Sequence, residues 1–203
     1  MDLHYEGEIW IKKIEVGTLG NNAYFLIDPR SKDALLVDAA WEPDRLIAEA
    51  EGLNVLKVLT THGHKDHHQA FDPVRKALGV PGGIGAIDRD MLASPPDFTI
   101  EEGDEFEFGC HRIIAMHTPG HTPGGTCFLI GKHLFSGDTL FPGGPGNTKS
   151  AIGDFPLIIE SIRTRLFTLP EDTLVYPRPW FGHDNWHREA TSPGMDRSRL
   201  VMV

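Results

Sequence analysis

Four histidines and an aspartate fall within seven residues, His62-Gly63-His64-Lys65-Asp66-His67-His68. Neutral imidazole and carboxylate are the donors that suit zinc and related divalent ions. A spacing of two sets His62 and His64 on one side of an extended segment. Asp66 and His67 then turn the other way as a helix begins, where they can serve a second ion. A solvated polar turn explains a lone histidine, but not this density. Two more segments carry matching chemistry: Met116–Thr122 sets His121 on a loop after a strand, and Leu134–Thr139 does the same for Asp138. Either alone is an ordinary turn. With the first cluster they supply three-plus-three ligands.

The elements that must position these groups read as short apolar runs at Tyr24–Ile27, Ala34–Val37, Val55–Leu59, Ile113–Met116, Cys127–Ile130 and Thr173–Tyr176. Each is too short for a helix, and most are rich in branched residues. Helices are expected at Pro43–Glu51, where proline takes a first-turn position, and at Gln69–Leu78. The clearest is Asp154–Phe167, with Ile158, Ile159, Ile162, Leu166 and Phe167 at helical spacing. Strands with interspersed helices predict sheets covered by helices in an α/β or α+β layered domain. The polar clusters follow strand runs, where loops present chemistry on a rigid frame.

The chain has 203 residues and a formal charge of −10. That length suits one domain with a real core. The acidic balance argues against binding nucleic acid or an anionic membrane. There is no apolar run of about 18 residues for a transmembrane helix, and the first residues lack the order of a secretory signal. The cytoplasm is the expected location and a small molecule the expected partner. Two cysteines cannot make a disulfide scaffold or a four-thiolate zinc site. Cys110 and Cys127 are read as core residues, and His111, His117 and His133 as structural or surface.

His62-x-His64-x-Asp66-His67, Thr118-Pro119-Gly120-His121-Thr122 and Ser136-Gly137-Asp138-Thr139 together resemble the metallo-β-lactamase superfamily, in its glyoxalase II-like branch. The resemblance runs from about Val16 to Tyr176 and implies a four-layer αββα sandwich with metals at one edge of the paired sheets. It implies that His62, His64 and His121 hold one ion, that Asp66 and His67 hold a second, and that Asp138 bridges both. The antibiotic-hydrolysing members are expected to resemble the chain less. Zinc is the expected ion, one or two per chain, with iron or manganese as alternatives. Between two such cations about 3.5–4 Å apart, a hydroxide exists near neutral pH and attacks a bound carbonyl. Asp66 is the expected catalytic residue, ligating and orienting that hydroxide.

The pattern of that family breaks after Tyr176. It ordinarily continues Pro-Gly-His-Gly, whereas this chain reads Pro177-Arg178-Pro179-Trp180, with Pro179 where a last histidine ligand belongs. If Arg178-Pro179-Trp180 is written CGG-CCA-TGG, dropping the first base gives Gly-His-Gly. The same shift permits Ser-Asp-Thr-Thr-Ile-Gly-Thr through Arg188 and Glu-Arg-Pro-His-Leu-x-Glu-Trp through Asp196. Trp180, Trp186 and Met195-Asp196 force their shifted residues. The expectation is one domain over 1–203 in which 178–203 is a frameshift-like tail, weakly ordered, from a one-base insertion. A coding sequence that fails to restore the motif would refute it. The alternative is a genuine insertion with His183 supplying the ligand.

The function expected is a metal-dependent hydrolase acting on a thiolester or other small ester, hydroxyacylglutathione hydrolase-like. Glutathione specificity is not expected, because the helical region that grips it in true glyoxalase II has no room here. One alternative is a persulfide dioxygenase-like enzyme with a single iron on His62, His121 and Asp138. The sequence after Asp138, however, lacks that group's Arg-Thr-Asp. Another is a metal-binding protein whose catalysis is impaired by the carboxyl-terminal break. Gly143–Thr148 is read as a loop beside the metals, either cradling an anion or merely leading to the helix at Asp154. Asn147 and Lys149 are its candidate substrate contacts.

Overall fold

A computed structural model describes residues 2–177 and 201–203. The expectations for Arg178, Pro179 and His183, and for most of the frameshift-like tail, lie outside the described residues. Seven strands form the first sheet in sequence order: β1 (Tyr5–Glu6), β2 (Trp10–Val16), β3 (Asn21–Ile27), β4 (Asp33–Val37), β5 (Asn54–Thr60), β6 (Gly82–Gly85) and β7 (Phe98–Ile100). The second sheet uses β8 (Glu105–Phe108), β9 (His111–His117), β10 (Thr126–Ile130), β11 (His133–Gly137), β14 (Leu174–Pro177) and β15 (Val201–Met202), in the order β15-β14-β11-β10-β9-β8. A small ribbon pairs β12 (Leu140–Phe141) with β13 (Gly144–Pro145). Among the described residues, three α-helices complete the frame: α1 (Pro43–Glu49), α2 (Phe71–Leu78) and α3 (Phe155–Ser161). After α3 the backbone continues with π-type winding over Ile162–Leu166.

The layers follow from period-two alternation. Phe25 pairs with Leu36 and Leu26 with Leu35 across β3 and β4. Leu26, Leu35, Val37 and Leu59 point inward and meet Phe106, Phe108, Ile113, Phe128, Phe135 and Tyr176 of the other sheet. Phe25, Ile27 and Leu36 point outward, onto Leu46 of α1 and Phe71 and Val74 of α2. Because both of its faces are covered, all seven residues of β3 are buried. On the far side, Cys127, Leu134 and Val175 pack against Ile158, Ile162 and Leu166. Helix, sheet, sheet, helix is the sandwich expected. Each fully buried Leu, Ile or Phe in these layers contributes roughly 1.5–3 kcal/mol.

Strand direction decides where chemistry can sit. β4 and β5 run parallel, while β9 and β11 are each antiparallel to the β10 between them, and β14 is parallel to β11. The chain therefore leaves β9, β11 and β14 in one direction. The loops after β5, β9 and β11 carry all six predicted ligands. Val201–Met202 pairs parallel with β14, so the end of the expected weakly ordered tail adds an edge strand.

Candidate metal centre

β5 ends at Thr60, and the chain stays extended through His62 and His64 before a single 3-10 turn, Lys65–His67, swings Asp66 and His67 away. His121 comes from the loop after β9, and Asp138 follows β11. Two sets of donor atoms converge, each within 4.8 Å: His62, His64 and His121; and His62, His67 and Asp138. His64 Nδ1 lies 2.8 Å from His121 Nε2, and His121 Nε2 lies 3.5 Å from Asp138 Oδ2. Asp66 is half-buried and belongs to neither set among the described residues. Its Oδ2 accepts a bond from Asn21 Nδ2 at 3.2 Å, and its charge reaches His64 and His121.

Three of the imidazoles, those of His62, His67 and His121, are oriented by their other nitrogen, the device that fixes a metal-binding tautomer. His121 Nδ1–H donates to the Asn147 carbonyl at 2.6 Å, leaving Nε2 to face the centre. His67 Nδ1–H donates to Asp38 Oδ2 at 2.8 Å, and its Nε2 lies 3.2 Å from Asp138 Oδ1. Thr61 donates its hydroxyl to Asp38 (2.8 Å), which leaves the oxygen to accept from His62 Nδ1 at 3.1 Å. His62 Nε2 is then buried with no hydrogen-bond partner among the described residues. A buried nitrogen of that kind costs free energy unless something accepts its lone pair.

The electrostatics point the same way. Burial, then the imidazoles of His67 and His121 beside it, hold His62 well below its ordinary pKa. Burial also lowers His64 and His121. These three are neutral near pH 7, the form that ligates. Burial opposes charge on His67, but Asp138 and Asp38 on either side raise it to about 10. Burial would raise Asp138, yet His67 and the other imidazoles hold it below the usual carboxylate range. His67 and Asp138 thus face each other as opposite charges, where a divalent cation can stand between them instead. The residues fit one or two such ions, and zinc, iron and manganese all accept this donor set.

Several supporting residues carry no signal of their own in the sequence. Asp88 is fully buried and joins two ligand loops, accepting from Gly63 N–H (2.8 Å), the Thr122 hydroxyl (2.6 Å) and Gly124 N–H (2.7 Å). Asp38 holds β5's end as well as His67, accepting Thr61 N–H at 2.8 Å. It sits just past β4, at a left-handed φ of 58°. Asn21 ties the turn to β3, donating to the main-chain oxygen of Asp66 as well as its carboxylate.

The Gly143–Thr148 loop has a positioning role. Gly146 N–H donates to Thr139 O at 3.1 Å, and a Cβ at Gly146 would sit 1.7 Å from the Asp138 carbonyl oxygen. Asn147 serves through its carbonyl on His121, and its Oδ1 accepts Lys149 N–H at 2.8 Å. His117 and His68 are structural, bonded to the carbonyls of Pro123 (3.0 Å) and Gly63 (3.1 Å).

Comparison with known proteins gives a consistent result. The profile of the metallo-beta-lactamase superfamily matches residues 16–178. Hydroxyacylglutathione hydrolase GloC of Haemophilus influenzae is 32% identical over 187 residues, covering 81% of this chain and 88% of that protein. The human mitochondrial persulfide dioxygenase ETHE1 is 35% identical over 159 residues, covering 76% of this chain but 61% of that one. The crystal structure of BLEG-1, a B3 metallo-beta-lactamase, superposes with a TM-score of 0.78 at 31% identity, over 84% of this chain and 91% of that one. BLEG-1 thus shares the sandwich and nearly a third of the aligned residues, whereas the metallo-beta-lactamases from Pontibacter korlensis and Hirschia baltica are 21% and 20% identical.

Proposed function

The chain belongs to the metallo-β-lactamase superfamily, and from that premise we propose that it is a metal-dependent hydrolase of thiolesters or other small esters. The observation that carries the reading is the convergence of His62, His64, His67, His121 and Asp138, with the imidazoles of His62, His67 and His121 pre-oriented for ligation. His62, His64 and His121 would hold one cation; His67 and Asp138, with Asp66 beside them, would hold a second. When bound, such cations bring the pKa of a water near neutrality and polarise a substrate carbonyl.

The chain's own groups do the rest. Asp38 and the Asn147 carbonyl keep His67 and His121 in the ligating tautomer. Asp66, steadied by Asn21, takes the proton of the attacking water on its carboxylate and returns it to the departing thiol or alcohol. A cleft of about 250 Å³ beside the turn, lined by Lys65, His68, Gln69 and Met91, offers room for part of a substrate.

The test is a thiolester and ester panel run on the full chain, stripped and reloaded with zinc. Turnover is expected to return with zinc and to vanish in H121A. D66N is expected to lose kcat while keeping at least one bound ion. A zinc-loaded chain that cleaves nothing on the panel would overturn the reading. The likeness to a persulfide dioxygenase supports a second reading, one iron on His62, His121 and Asp138. Oxygen consumption by the iron-loaded chain with a small persulfide separates it from hydrolysis.

A further inference from the structure

Cys127 is fully buried, as expected, but Cys110 is exposed, which corrects its reading as a core residue. The reason is its place at the tip of the β8–β9 hairpin, where Phe108 pairs with His111 across a two-residue turn, Gly109-Cys110. A glycine at φ 56° in the first turn position fits a type II′ turn. The tip lies at the start of β9, a seven-residue strand whose other end leads to His121. At about 3.3 Å per residue, the two ends are roughly 20 Å apart.

Asp28, which follows β3, meets this tip. Its Oδ1 accepts Arg30 N–H (2.7 Å) and Ser31 N–H (3.0 Å), and its Oδ2 accepts Cys110 N–H (2.9 Å). A Cβ at Gly109 would come within 2.1 Å of Asp28 Oδ2, so only glycine allows the approach. The carboxylate is thus buried and fixed. Around it, Cys110 Sγ lies 3.7 Å from His111 Nε2, and His111 Nε2 lies 3.6 Å from Asp28 Oδ2. All three donor atoms fall within 4.8 Å of one another.

Two chemistries use a thiol, an imidazole and a carboxylate together. A nucleophilic triad employs both ring nitrogens, one facing the thiol and the other the acid. Here both partners face the same nitrogen, Nε2. The Nε2–carboxylate distance is also too long for a hydrogen bond. Chelation requires convergence on one point instead. A tetrahedral zinc with Zn–S of about 2.3 Å and Zn–N and Zn–O of about 2.0–2.1 Å sets sulfur and nitrogen about 3.6 Å apart, and nitrogen and oxygen about 3.4 Å. The observed 3.7 and 3.6 Å need almost no adjustment.

We propose that Asp28, Cys110 and His111 form a second cation site, remote from the candidate centre, that takes one borderline-soft divalent ion of the zinc type. The thiol releases its proton to solvent as sulfur ligates; no electron moves. Three protein ligands leave a fourth position open. Cys110 and His111 line a cleft of about 630 Å³ with Tyr5, Glu8 and Lys132, so that position is reachable by water or a small anion. Because Asp28 follows a strand of one sheet and Cys110 precedes a strand of the other, the ion joins the two sheets at the end opposite the histidine cluster.

Cobalt(II) added to the full chain tests this directly, because neither donor set at the histidine centre contains sulfur. A thiolate-to-cobalt charge-transfer band is expected in the near ultraviolet, unchanged by protein concentration. C110S should lose the band and bind one ion fewer, while keeping the visible absorption of cobalt at the histidine centre. A measurement on the unaltered chain guards against misfolding: zinc should slow iodoacetamide labelling of Cys110 by at least about tenfold, because a ligated thiolate no longer attacks. H111A should remove that protection. No band, a band that survives C110S, a band that grows with protein concentration, or labelling indifferent to zinc would each overturn the assignment.

Discussion

The two ends of the sandwich assemble donors in opposite ways. At the histidine end, ligands come from three loops with dedicated supports behind them: buried Asp38 behind His67, the carbonyl of exposed Asn147 behind His121, and buried Asp88 between two of the loops. At the hairpin end, one carboxylate does everything, fixing two turns and supplying a donor atom, while the thiol stands in solvent. Pre-orientation by buried hydrogen bonds is what catalysis requires, because each ligand must keep its place as charge develops. An exposed, three-ligand site with one supporting group suits an exchangeable ion. The comparison teaches that donor type alone does not mark a catalytic centre; the separate partners that orient the donors do.

The strongest way to break the comparison is to remove a donor at the histidine end. H121A is expected to abolish retention of the ion shared with His62 and His64, read as metal content after desalting, and to abolish turnover. Removing a support comes next. D88A leaves two buried N–H groups and a hydroxyl without their acceptor, and should cost about 3–5 kcal/mol in urea unfolding. D38N should weaken metal binding by about 10–100-fold while leaving the ligands in place, measured by competition with a chelator.

A smaller effect concerns a histidine that lines the cleft beside Cys110 and His111 but belongs to neither donor set. Burial first, and Lys132 second, push His133 down to about 4, and its Nδ1 lies 2.9 Å from the Tyr176 hydroxyl. An unfolded histidine takes its proton near 6.5, so between pH 6.5 and 4 the unfolded chain binds more protons. Stability therefore falls as pH drops through that window, by at most about 2 kcal/mol from this group after screening by solvent. H133F should lose that share of the pH dependence in urea midpoints taken at pH 7.5 and 5. The smallest expected effect is C110S, with stability changed by less than about 0.5 kcal/mol, as for other exposed positions, and zinc-dependent hydrolysis unchanged.

The sandwich could be read from the sequence wherever apolar runs were uninterrupted. Tyr24–Ile27 and Val55–Leu59 lie inside β3 and β5, and Asp154–Phe167 marks α3 and its continuation. β2 was hidden by its charges: Lys12 is buried nonetheless, donating to the Glu49 carbonyl at 3.0 Å and pairing with its carboxylate. β6 was hidden by glycine, since Gly82 and Gly83 leave room for the rings of Phe71 and Phe98, and tertiary packing overrides their poor strand propensity. The metal ligands were legible because four of them sit in one short segment. Asp88 and Asp28 were not, because each acts through bonds to residues far away in sequence, 82 positions in the case of Asp28 and Cys110.

One measurement reaches the central claim most directly: thiolester turnover by the full chain before chelation, after it, and after zinc is restored. The account predicts hydrolysis that disappears with the metal and returns with it, together with zinc bound at the histidine end. Zinc bound there without hydrolysis of any thiolester or ester would contradict it.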